Sequence, residues 1–329
     1  MRLVNNNFPI SKIYKYIAAA LVYSASAAFS PSALHAQAFD QLNASQAGIE
    51  IPLAPAPSDS TRYTAAPGFN VYFLSVGQGD SIYMELPGGQ NALIDGGPSD
   101  SASGALAAFL SVKNITKIDH VVLTHPHADH YKGLLYVFSA ITVGNFYDTR
   151  MENDSASGDN TLRAMVLARE VPTFYPSPGD QLAWGGAAVK VFNSCPEPVH
   201  SSKGDVVNNC SIVLKLAYQN SSILFTGDMQ DEVEAVLVAR FGAELKADVL
   251  KVGHHGSQYS TSGPFLKAVS PERAYIEVGR NNYGHPTQPA LSRLLAAGAR
   301  IFRTDLDGTM QYSLAAAPLA VAGNLPFSY

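Results

Sequence analysis

The sequence predicts a mixed α/β domain whose sheets are buried on both faces. Short apolar runs typical of β-strands recur along residues 68–329 and are separated by Gly, Asp and Asn. Stretches with apolar residues at helical spacing lie between these runs. A run of strands followed by helices occurs twice along the chain. We therefore expect two sheets packed face to face with helices on the outside.

Four strand candidates follow one another in the first half of this region. They are NVYFLSV at 70–76, DSIYMEL at 80–86, NALIDGG at 91–97 and HVVLTH at 120–125. The segment 99–114 carries apolar residues at helical spacing, with Ser and Asp in positions that can cap a helix. This segment is expected to form a helix before the fourth strand.

The second half repeats this order with different residues. The strand candidates are 187–194, 210–219, 221–228, 247–255, 273–279, 299–304 and 308–314. The helix candidates are 229–242, 262–269 and 288–298. Gly242 is expected to end the first of these helices, because glycine readily adopts the left-handed conformation found after a helix.

The N-terminus has the layout of a secretory signal. Lys12 and Lys15 precede a short, alanine-rich apolar stretch, and small residues follow it. We expect a signal peptide over 1–36, a linker over 37–67 and one folded domain over 68–329. An uncleaved anchor or a disordered tail is the alternative. The apolar stretch is short for a membrane span, so the mature chain is expected to be exported, periplasmic or secreted, without one.

The charge of the chain bears on its partners. The formal net charge of the 329 residues is −5, and 15% of them are charged. A surface that coats nucleic acid needs a basic stripe, so no stable nucleic-acid coat is expected. A phosphate-bearing substrate is compatible with this charge, because bound metal ions can supply positive charge locally. No residue pattern indicates an oligomeric state.

The two cysteines, Cys195 and Cys210, flank a loop-like stretch. In an oxidising compartment such a pair is expected to form a disulfide. The alternative is a free Cys210 thiol near the metal ligands described next, with Cys195 as an ordinary loop residue.

The segment His125 to His130, HPHADH, places four potential metal ligands directly after an apolar strand. In an extended chain residues i and i+2 point the same way, so His125 and His127 could bind one ion. A turn at Ala128 would then present Asp129 and His130 to a second ion. The alternative is a histidine-rich surface loop, which four donors in six residues behind a buried strand argue against.

Two further strand candidates also end in potential ligands. Asp228 ends the strand ILFTGD, and a carboxylate with two oxygens can bridge two cations. His254 and His255 end the strand ADVLKVGHH, so one could bind metal while the other contacts substrate or orients a ligand. A turn aspartate and a surface histidine pair are the alternatives. The recurrence of ligands at strand ends favours a site, since open sheets bind ligands there.

Several ordered segments together resemble the metallo-β-lactamase fold superfamily: HPHADH, LIDGG with Asp95, FTGD with Asp228, and HHGS with His254. More narrowly, SVGQGDSIYMEL, NNCSIVLKLAY, ADVLKVGHHGS, NNYGHP and RTDLDGT resemble the extracellular hydrolase domain of the ComEC/Rec2 DNA-uptake proteins and its stand-alone relatives. The resemblance spans about residues 68–329. It implies a four-layer αββα sandwich around a dimetal site.

The resemblance implies a role for each matching position. The implied metal ligands are His125 and His127 for one ion, Asp129, His130 and His254 for the other, and Asp228 as the bridge. The implied catalytic or substrate-contacting residues are Asp129, His255 and His285. Asp80 and Asp95 are expected behind the ligands, although Asp80 could serve a turn and His285 could cap a loop. Asn208 or Asn209 stands where many superfamily members have a further histidine, and Asn209 is expected to support the site.

These expectations describe an exported hydrolase that uses water activated by two divalent ions, Zn²⁺ or alternatively Mn²⁺. The resemblance to the ComEC/Rec2 hydrolase domain implies a phosphodiester substrate, either nucleic acid or a phosphorylated envelope component such as phosphocholine. One alternative is a β-lactamase or lactonase that acts on a carbonyl substrate. Another is a catalytically idle binding module that has kept the fold.

Overall fold

The computed structural model describes residues 69–314. The expected signal peptide over 1–36 and the linker over 37–67 lie outside the described residues, as do residues 315–329. Within the described range, no helix is both long enough and apolar enough to cross a membrane.

The described chain forms sixteen strands and eight α-helices. The strands are β1 Phe69–Phe73, β2 Ile82–Glu85, β3 Asn91–Ile94, β4 Lys117–Val122, β5 Thr142–Tyr147, β6 Met151–Asn153, β7 Thr173–Phe174, β8 Gln181–Trp184, β9 Ala187–Asn193, β10 Val199–Ser201, β11 Val213–Tyr218, β12 Ser221–Phe225, β13 Val249–Lys251, β14 Arg273–Ile276, β15 Arg300–Arg303 and β16 Met310–Leu314. The helices are α1 Ala105–Val112, α2 Ala128–Ala140, α3 Gly158–Ala168, α4 Gly204–Asn209, α5 Asp231–Phe241, α6 Gly263–Val269, α7 Gln288–Ala296 and α8 Thr304–Asp307. Short 3₁₀ turns span Pro87–Gly89, Gly242–Leu245 and Gly253–Gly256.

Two seven-stranded sheets contain most of these strands. The first sheet has the order β16-β1-β2-β3-β4-β5-β7, and the second has the order β15-β14-β13-β12-β11-β9-β8. Each sheet joins antiparallel strands to a parallel set, which is β3, β4, β5 and β7 in the first and β12 to β15 in the second. The carboxyl ends of each parallel set therefore meet at one edge of their sheet.

Side chains of the first sheet alternate between two buried layers. Val71 and Phe73 of β1 face the core between the sheets, whereas Tyr72 and Leu74 pack with α1, α2 and α3. On the outer face of the second sheet, residues such as Leu224 pack with α5, α6 and α7. The predicted four-layer αββα sandwich is thus confirmed. Coverage of both faces explains why the strands are apolar on both sides.

An aromatic stack joins the two sheets across this core. Phe73 of the first sheet stacks on Tyr275 of the second with ring centroids 4.1 Å apart. Tyr275 stacks in turn on Phe302, with centroids 4.8 Å apart. Such pairs contribute about 0.5–1.5 kcal/mol each beyond their buried area.

Every strand and helix expected from the sequence overlaps an observed element. Gly242 ends α5 as expected, with φ of +48°. The sequence patterns missed the helices α2, α3, α4 and α8 and the strands β5 to β8 and β10. Helix α2 begins at Ala128, where only a turn was expected, because its first turn is polar and its buried apolar residues begin further on, at Tyr131 and Leu134.

Candidate metal centre

The candidate ligands follow the parallel strands of both sheets. Asp95 follows β3, His125 follows β4, Asp228 follows β12 and His255 follows β13. Ile94 lies opposite Val122 in the parallel register, and the Asp95 amide donates to the Val122 carbonyl at 2.9 Å. The sheet pairing itself therefore places Asp95 beside the start of the HPHADH segment.

The HPHADH segment is half extended and half helical. His127 has extended backbone angles and precedes α2, and its carbonyl accepts the amides of His130 and Tyr131 at 3.0 Å each. Asp129 and His130 thus lie in the first helical turn. The extended half brings Nε2 of His125 within 3.0 Å of Nδ1 of His127. The segment therefore presents His125 and His127 from its extended half and Asp129 and His130 from its helical half.

Asp228 lies at the centre of the cluster and is 2% exposed. Its Oδ2 lies 3.3 Å from Nε2 of His130, 3.4 Å from Nε2 of His255, 3.9 Å from Nε2 of His125 and 4.0 Å from Nε2 of His254. The Asp228 amide donates to the Ser211 hydroxyl at 3.0 Å, which fixes the turn after β12. One carboxylate is therefore shared by imidazoles from both halves of the chain.

Asp95 orients His130. Oδ2 of Asp95 lies 2.8 Å from Nδ1 of His130 and accepts the Thr124 hydroxyl at 2.7 Å. Oδ1 accepts the Thr124 amide at 2.8 Å. Because Nδ1 of His130 is engaged by a carboxylate, its Nε2 is directed at the cluster, which is the usual arrangement behind a metal-binding histidine.

Asp80 and His255 form a second buried pair. Oδ1 of Asp80 lies 3.2 Å from Nδ1 of His255, and that nitrogen donates to the Glu277 carbonyl at 2.8 Å. Asp80 also forms an ion pair with Lys251, which is 1% exposed. The turn before Asp80 lies so close to Asp129 that a Cβ at Gly79 would stand 2.2 Å from its carbonyl oxygen. Asp80 is therefore part of the cluster.

The buried atoms of the cluster fit a pair of divalent ions. Within residues 69–314, Oδ1 of Asp80, Nε2 of His130, Oδ1 of Asp228 and Nε2 of His255 make no hydrogen bond, although opposite charges lie 3.2–3.4 Å from three of them. Among the described residues, four sets of three donors have ligand atoms within 4.8 Å of one another: His125, His130 and Asp228; Asp129, His130 and His255; Asp80, Asp95 and His130; and Asp80, Asp228 and His255. Buried polar atoms without partners are costly, and bound cations would satisfy them.

Electrostatics differ sharply between neighbouring histidines. Burial opposes a charge on His130, but Asp228, Asp95 and Asp129 outweigh it and raise the pKa of His130 well above its ordinary value. Burial also opposes a charge on His255, yet Asp228 and Asp80 raise its pKa in the same way. Burial and the neighbouring His130 instead hold the pKa of His125 well below its ordinary value. The same carboxylates that favour a positive charge on His130 and His255 would favour bound cations between them.

The two adjacent histidines of GHHG occupy different environments. His255 is 2% exposed at its side chain and lies 3.3 Å from Oδ2 of Asp129. His254 is 22% exposed and touches Asp228 only at 4.0 Å. Among the described residues, the close sets of donors include His255 but neither His254 nor His127, whose Nδ1 lies 3.0 Å from Nε2 of His125. In this geometry His255 is the better placed ligand, whereas the resemblance implied His254.

Asn208 and Asn209 also differ in position. The Nδ2 atom of Asn208 lies 3.5 Å from Nε2 of His254, and Asn208 is buried. Asn209 points away from the cluster, since its Oδ1 accepts the Gln230 amide at 2.9 Å. The structure therefore places Asn208 at the site and Asn209 behind it, against the start of α5.

His285 lies at the outer side of the cluster. Its ring centroid is 5.2 Å from that of His254 and 6.4 Å from that of His255. Its Nδ1 is buried and has no hydrogen-bond partner among the residues that the structure describes. Burial, with the nearby His254 and His255, lowers the pKa of His285 to about 4.

Cys195 and Cys210 form a disulfide, as the sequence analysis expected. Cys210 is buried next to Met151 and Val207. It immediately precedes Ser211, whose hydroxyl lies 3.3 Å from Nδ1 of His125. The bridge therefore fastens the segment that carries Asn208 and Ser211 beside the cluster.

Comparison with known proteins decides the family. The family model of the metallo-beta-lactamase superfamily matches residues 74–279, which is more than half of the chain. The chain belongs to this superfamily. It has the metal-dependent hydrolase fold, and that fold uses a dimetal site.

Within the superfamily, the chain is similar to competence proteins. It is 33% identical to ComE operon protein 3 of Bacillus subtilis (strain 168) over an alignment 264 residues long, which covers 74% of this chain and 32% of that protein. It is 30% identical to Competence protein ComA of Neisseria gonorrhoeae over an alignment 243 residues long, which covers 72% of this chain and 31% of that protein. The chain thus spans about a third of the length of these relatives.

Solved structures of the superfamily fold show the same architecture. A mutant of CmlA beta-hydroxylase, a diiron enzyme from Streptomyces venezuelae, superimposes with a TM-score of 0.50 over 76% of this chain and 55% of that chain. The identity is 16%, so this likeness concerns the fold alone.

Three residues that contact this cluster were not expected from the sequence: Lys251, Glu277 and Ser211. Lys251 and Glu277 lie within or directly after apolar strands, and both are buried. Ser211 lies before β11 and contacts both His125 and Asp228. A charged residue inside an apolar run was the available signal for Lys251, because a buried lysine needs a carboxylate partner.

Proposed function

We propose that this chain is an exported dimetal phosphodiesterase that cleaves nucleic-acid backbones. The observation that carries the proposal is the position of Asp228, whose Oδ2 lies within 4.0 Å of nitrogens from four histidines. A buried carboxylate shared by imidazoles of both sheets has the form of a bridge between two cations.

The proposed ligands divide into two groups. His125, His127 and Asp228 would hold one ion, and Asp129, His130 and His255 would hold the other together with Asp228. Imidazole and carboxylate donors suit Zn²⁺, and Mn²⁺ is the alternative to test. When bound, such a pair of ions polarises a phosphoryl oxygen and lowers the pKa of water, so that hydrolysis can proceed near neutral pH.

The protein's own groups prepare the site. Asp95 holds the ring of His130 at 2.8 Å, and the Glu277 carbonyl holds that of His255 at 2.8 Å, with the Asp80 carboxylate beside it. His285 is neutral near pH 7 because its pKa is lowered to about 4, so its ring can exchange a hydrogen bond with a bound substrate. These contacts fix the orientation of the imidazole rings before substrate binds. Groups that are already oriented lower the activation barrier because they need not reorganise during the reaction.

Two points support nucleic acid as the substrate. The similar proteins from Bacillus subtilis and Neisseria gonorrhoeae belong, by name, to a ComE operon and to competence. Two of the segments that resemble the ComEC/Rec2 hydrolase domain contribute directly to the cluster. SVGQGDSIYMEL supplies Asp80, and ADVLKVGHHGS supplies Lys251 and His255.

Export completes the proposal. The signal-like layout of residues 1–36 and the Cys195–Cys210 disulfide both suit an oxidising compartment. Fractionation of cells and N-terminal sequencing of the mature chain test this point. A protein found only in the cytoplasm with residues 1–36 attached would contradict export.

Activity is tested with purified protein, elemental analysis and three substrates. We expect two bound ions, and hydrolysis of single-stranded DNA and bis-p-nitrophenyl phosphate but not of nitrocefin. His127→Ala should abolish hydrolysis while the circular dichroism spectrum is unchanged. His200→Ala is the matched control, because His200 lies on β10 and its side chain is 64% exposed.

Three other results would each contradict part of the proposal. Hydrolysis of nitrocefin alone would indicate a carbonyl substrate. Absence of bound metal in the wild-type protein would indicate an idle binding module. Full activity in His127→Ala would rule out the proposed ligand set.

A further inference from the structure

Tyr283 is an exposed aromatic residue beside the metal centre. It lies in the loop 279–286 between β14 and α7, and its residue is 75% exposed. Single exposed apolar residues are common on protein surfaces. Tyr283 differs from such residues in two ways. Hydrogen bonds fix the backbone of its loop, and its ring contacts His285, which lies beside the metal centre.

The loop is held internally by one side chain. Asn281 donates from Nδ2 to the carbonyls of Gly279 and His285 at 2.9 and 2.8 Å. Its Oδ1 accepts the amides of Tyr283 and His285, both at 3.0 Å. Four hydrogen bonds from one amide thus fix the backbone on both sides of Tyr283.

The loop is also attached at both ends to the turns that carry ligands. At its start, the Gly279 amide donates to Oε1 of Gln78, two residues before Asp80, at 3.3 Å. A Cβ at Gly279 would stand 2.4 Å from the Gly77 backbone, so the two turns are in direct contact. After its end, the Thr287 amide donates to the Gly256 carbonyl at 2.9 Å, next to His255. The loop is therefore in a fixed position relative to the metal centre.

The aromatic rings form a series from the centre to solvent. His254 contacts Asp228, and its ring lies 5.2 Å from that of His285 with an interplanar angle of 76°. The ring of His285 lies 5.7 Å from that of Tyr283 with an angle of 31°. Exposure increases along the series, from 22% at the side chain of His254 to 75% at Tyr283.

We propose that Tyr283, supported by His285, is a stacking subsite for a nucleobase next to the phosphodiester held at the metal centre. The inference rests on the proposed phosphodiesterase function. A planar ring held at the exposed end of this series offers its face to another planar ring. Bases stack on aromatic side chains irrespective of their identity, so the subsite would bind single-stranded nucleic acid without sequence preference. Duplex DNA keeps its bases stacked on one another and would not engage it.

The test compares oligonucleotides with and without bases. Labelled single strands of equal length, one of normal bases and one of abasic sites, are titrated with the full chain by fluorescence anisotropy. Steady-state cleavage of the same strands gives KM and kcat. We expect Tyr283→Ala to weaken binding of the base-bearing strand about tenfold or more, the usual effect of losing one base stack. The KM for this strand should rise by the same factor, whereas the abasic strand should show no such penalty.

Two further variants separate stacking from structure. Tyr283→Trp keeps a flat ring and should bind the base-bearing strand as tightly as wild type does. Tyr259→Ala removes another tyrosine, 56% exposed, whose ring makes no contact with His254, His255 or His285 in the described part of the chain. It should bind both strands as wild type does.

The outcomes distinguish the subsite from the proposed function. Equal binding of the base-bearing strand by wild type and Tyr283→Ala would overturn the subsite, even if cleavage is intact. An equal loss for both strands, or the same loss in Tyr259→Ala, would also overturn it. Binding that depends on Tyr283, in a protein that cleaves no phosphodiester, would support the subsite and reject the proposed function.

Discussion

Nδ1 of His130 and Oδ2 of Asp95 lie 2.8 Å apart, and both residues are completely buried. The same carboxylate accepts the amide and the hydroxyl of Thr124. Asp95 therefore joins the end of β4 to the first turn of α2 and sets the direction in which His130 faces the cluster.

Asp95→Asn should lower metal affinity about 10- to 100-fold, as expected for the partner of a metal-binding histidine. The two oxygens of Asp95 contact the Thr124 amide and Nδ1 of His130. In asparagine one oxygen is replaced by NH₂, which would then face one of these two N–H donors. Asparagine tolerates the left-handed backbone of this position, where φ is +57°, so the fold should persist. Calorimetric metal titration checks this prediction, and unchanged affinity would contradict it.

His254 and His255 are distinguished by a matched pair of variants. His255→Asn should lose one of the two bound ions, because His255 is buried within 3.4 Å of the Asp129 and Asp228 carboxylates. His254→Asn should keep both ions and change turnover instead. Both positions have positive φ, so asparagine is used in each. Elemental analysis decides, and the reverse pattern would assign the ligand to His254.

Lys251→Met should destabilise the metal-free protein by about 3–5 kcal/mol, because it leaves buried carboxylates without their cation. The Lys251 ammonium pairs with Asp80 and lies 3.9 Å from Asp228. Added Zn²⁺ should restore part of the loss. Urea unfolding with EDTA or with metal measures both effects. The control is Lys190→Met. Lys190 forms an exposed ion pair with Glu244, so its loss should lower the free energy of unfolding by less than about 1 kcal/mol. Equal effects of the two variants would argue against a role of Lys251 as counter-ion.

Replacement of both Cys195 and Cys210 by serine should lower the free energy of unfolding by about 3 kcal/mol. The bridge closes a loop with a sequence separation of 15, and closure of such a loop restricts the unfolded chain by about this amount. Dithiothreitol should destabilise the wild-type protein to a similar extent and leave the double variant unchanged. A wild-type protein insensitive to reductant would contradict the prediction.

His120 should make stability depend on pH. It is 4% exposed between Tyr147 and Gln90, and burial lowers its pKa. A buried neutral histidine contributes fully to stability when the pH is above its pKa in the unfolded chain, about 6.5. This contribution is lost as the pH falls from that value toward the lower pKa in the folded protein, because the unfolded chain then binds the proton more readily. The stability difference between wild type and His120→Gln should therefore shrink from about pH 7.5 to about pH 5. His200→Gln, at an exposed position, is the control. A difference that does not change with pH would contradict this assignment.

The fold could be predicted from the sequence because the same pattern, an apolar strand followed by polar residues, recurs in both halves of the chain. Both faces of each sheet are covered, so β4 and β12 end in buried apolar runs, Val121–Leu123 and Ile223–Phe225, and polar site residues follow each run. Helix α5 has a clear C-terminal signal in Gly242. Helix α2 lacks such a signal, since His127 precedes it and makes no side-chain cap, and its first turn consists of ligands.

The site could be predicted only at the level of candidate residues. Local spacing indicates that His125 and His127 point the same way, and the structure places them 3.0 Å apart. Spacing cannot indicate which of His254 and His255 faces inward, because both have the left-handed backbone of an irregular turn. Nor can it pair Lys251 with Asp80, since that contact spans most of the domain.

The position of Asp228 has a consequence for how activity arises. Its histidine neighbours come from the HPHADH segment of the first sheet and the GHHG turn of the second. Neither half of the polypeptide holds the complete set of these side chains, so the cluster assembles only when both sheets have formed and packed together. Under the proposed function, a chain that has folded only one sheet would lack a complete ligand set and would not hydrolyse substrate.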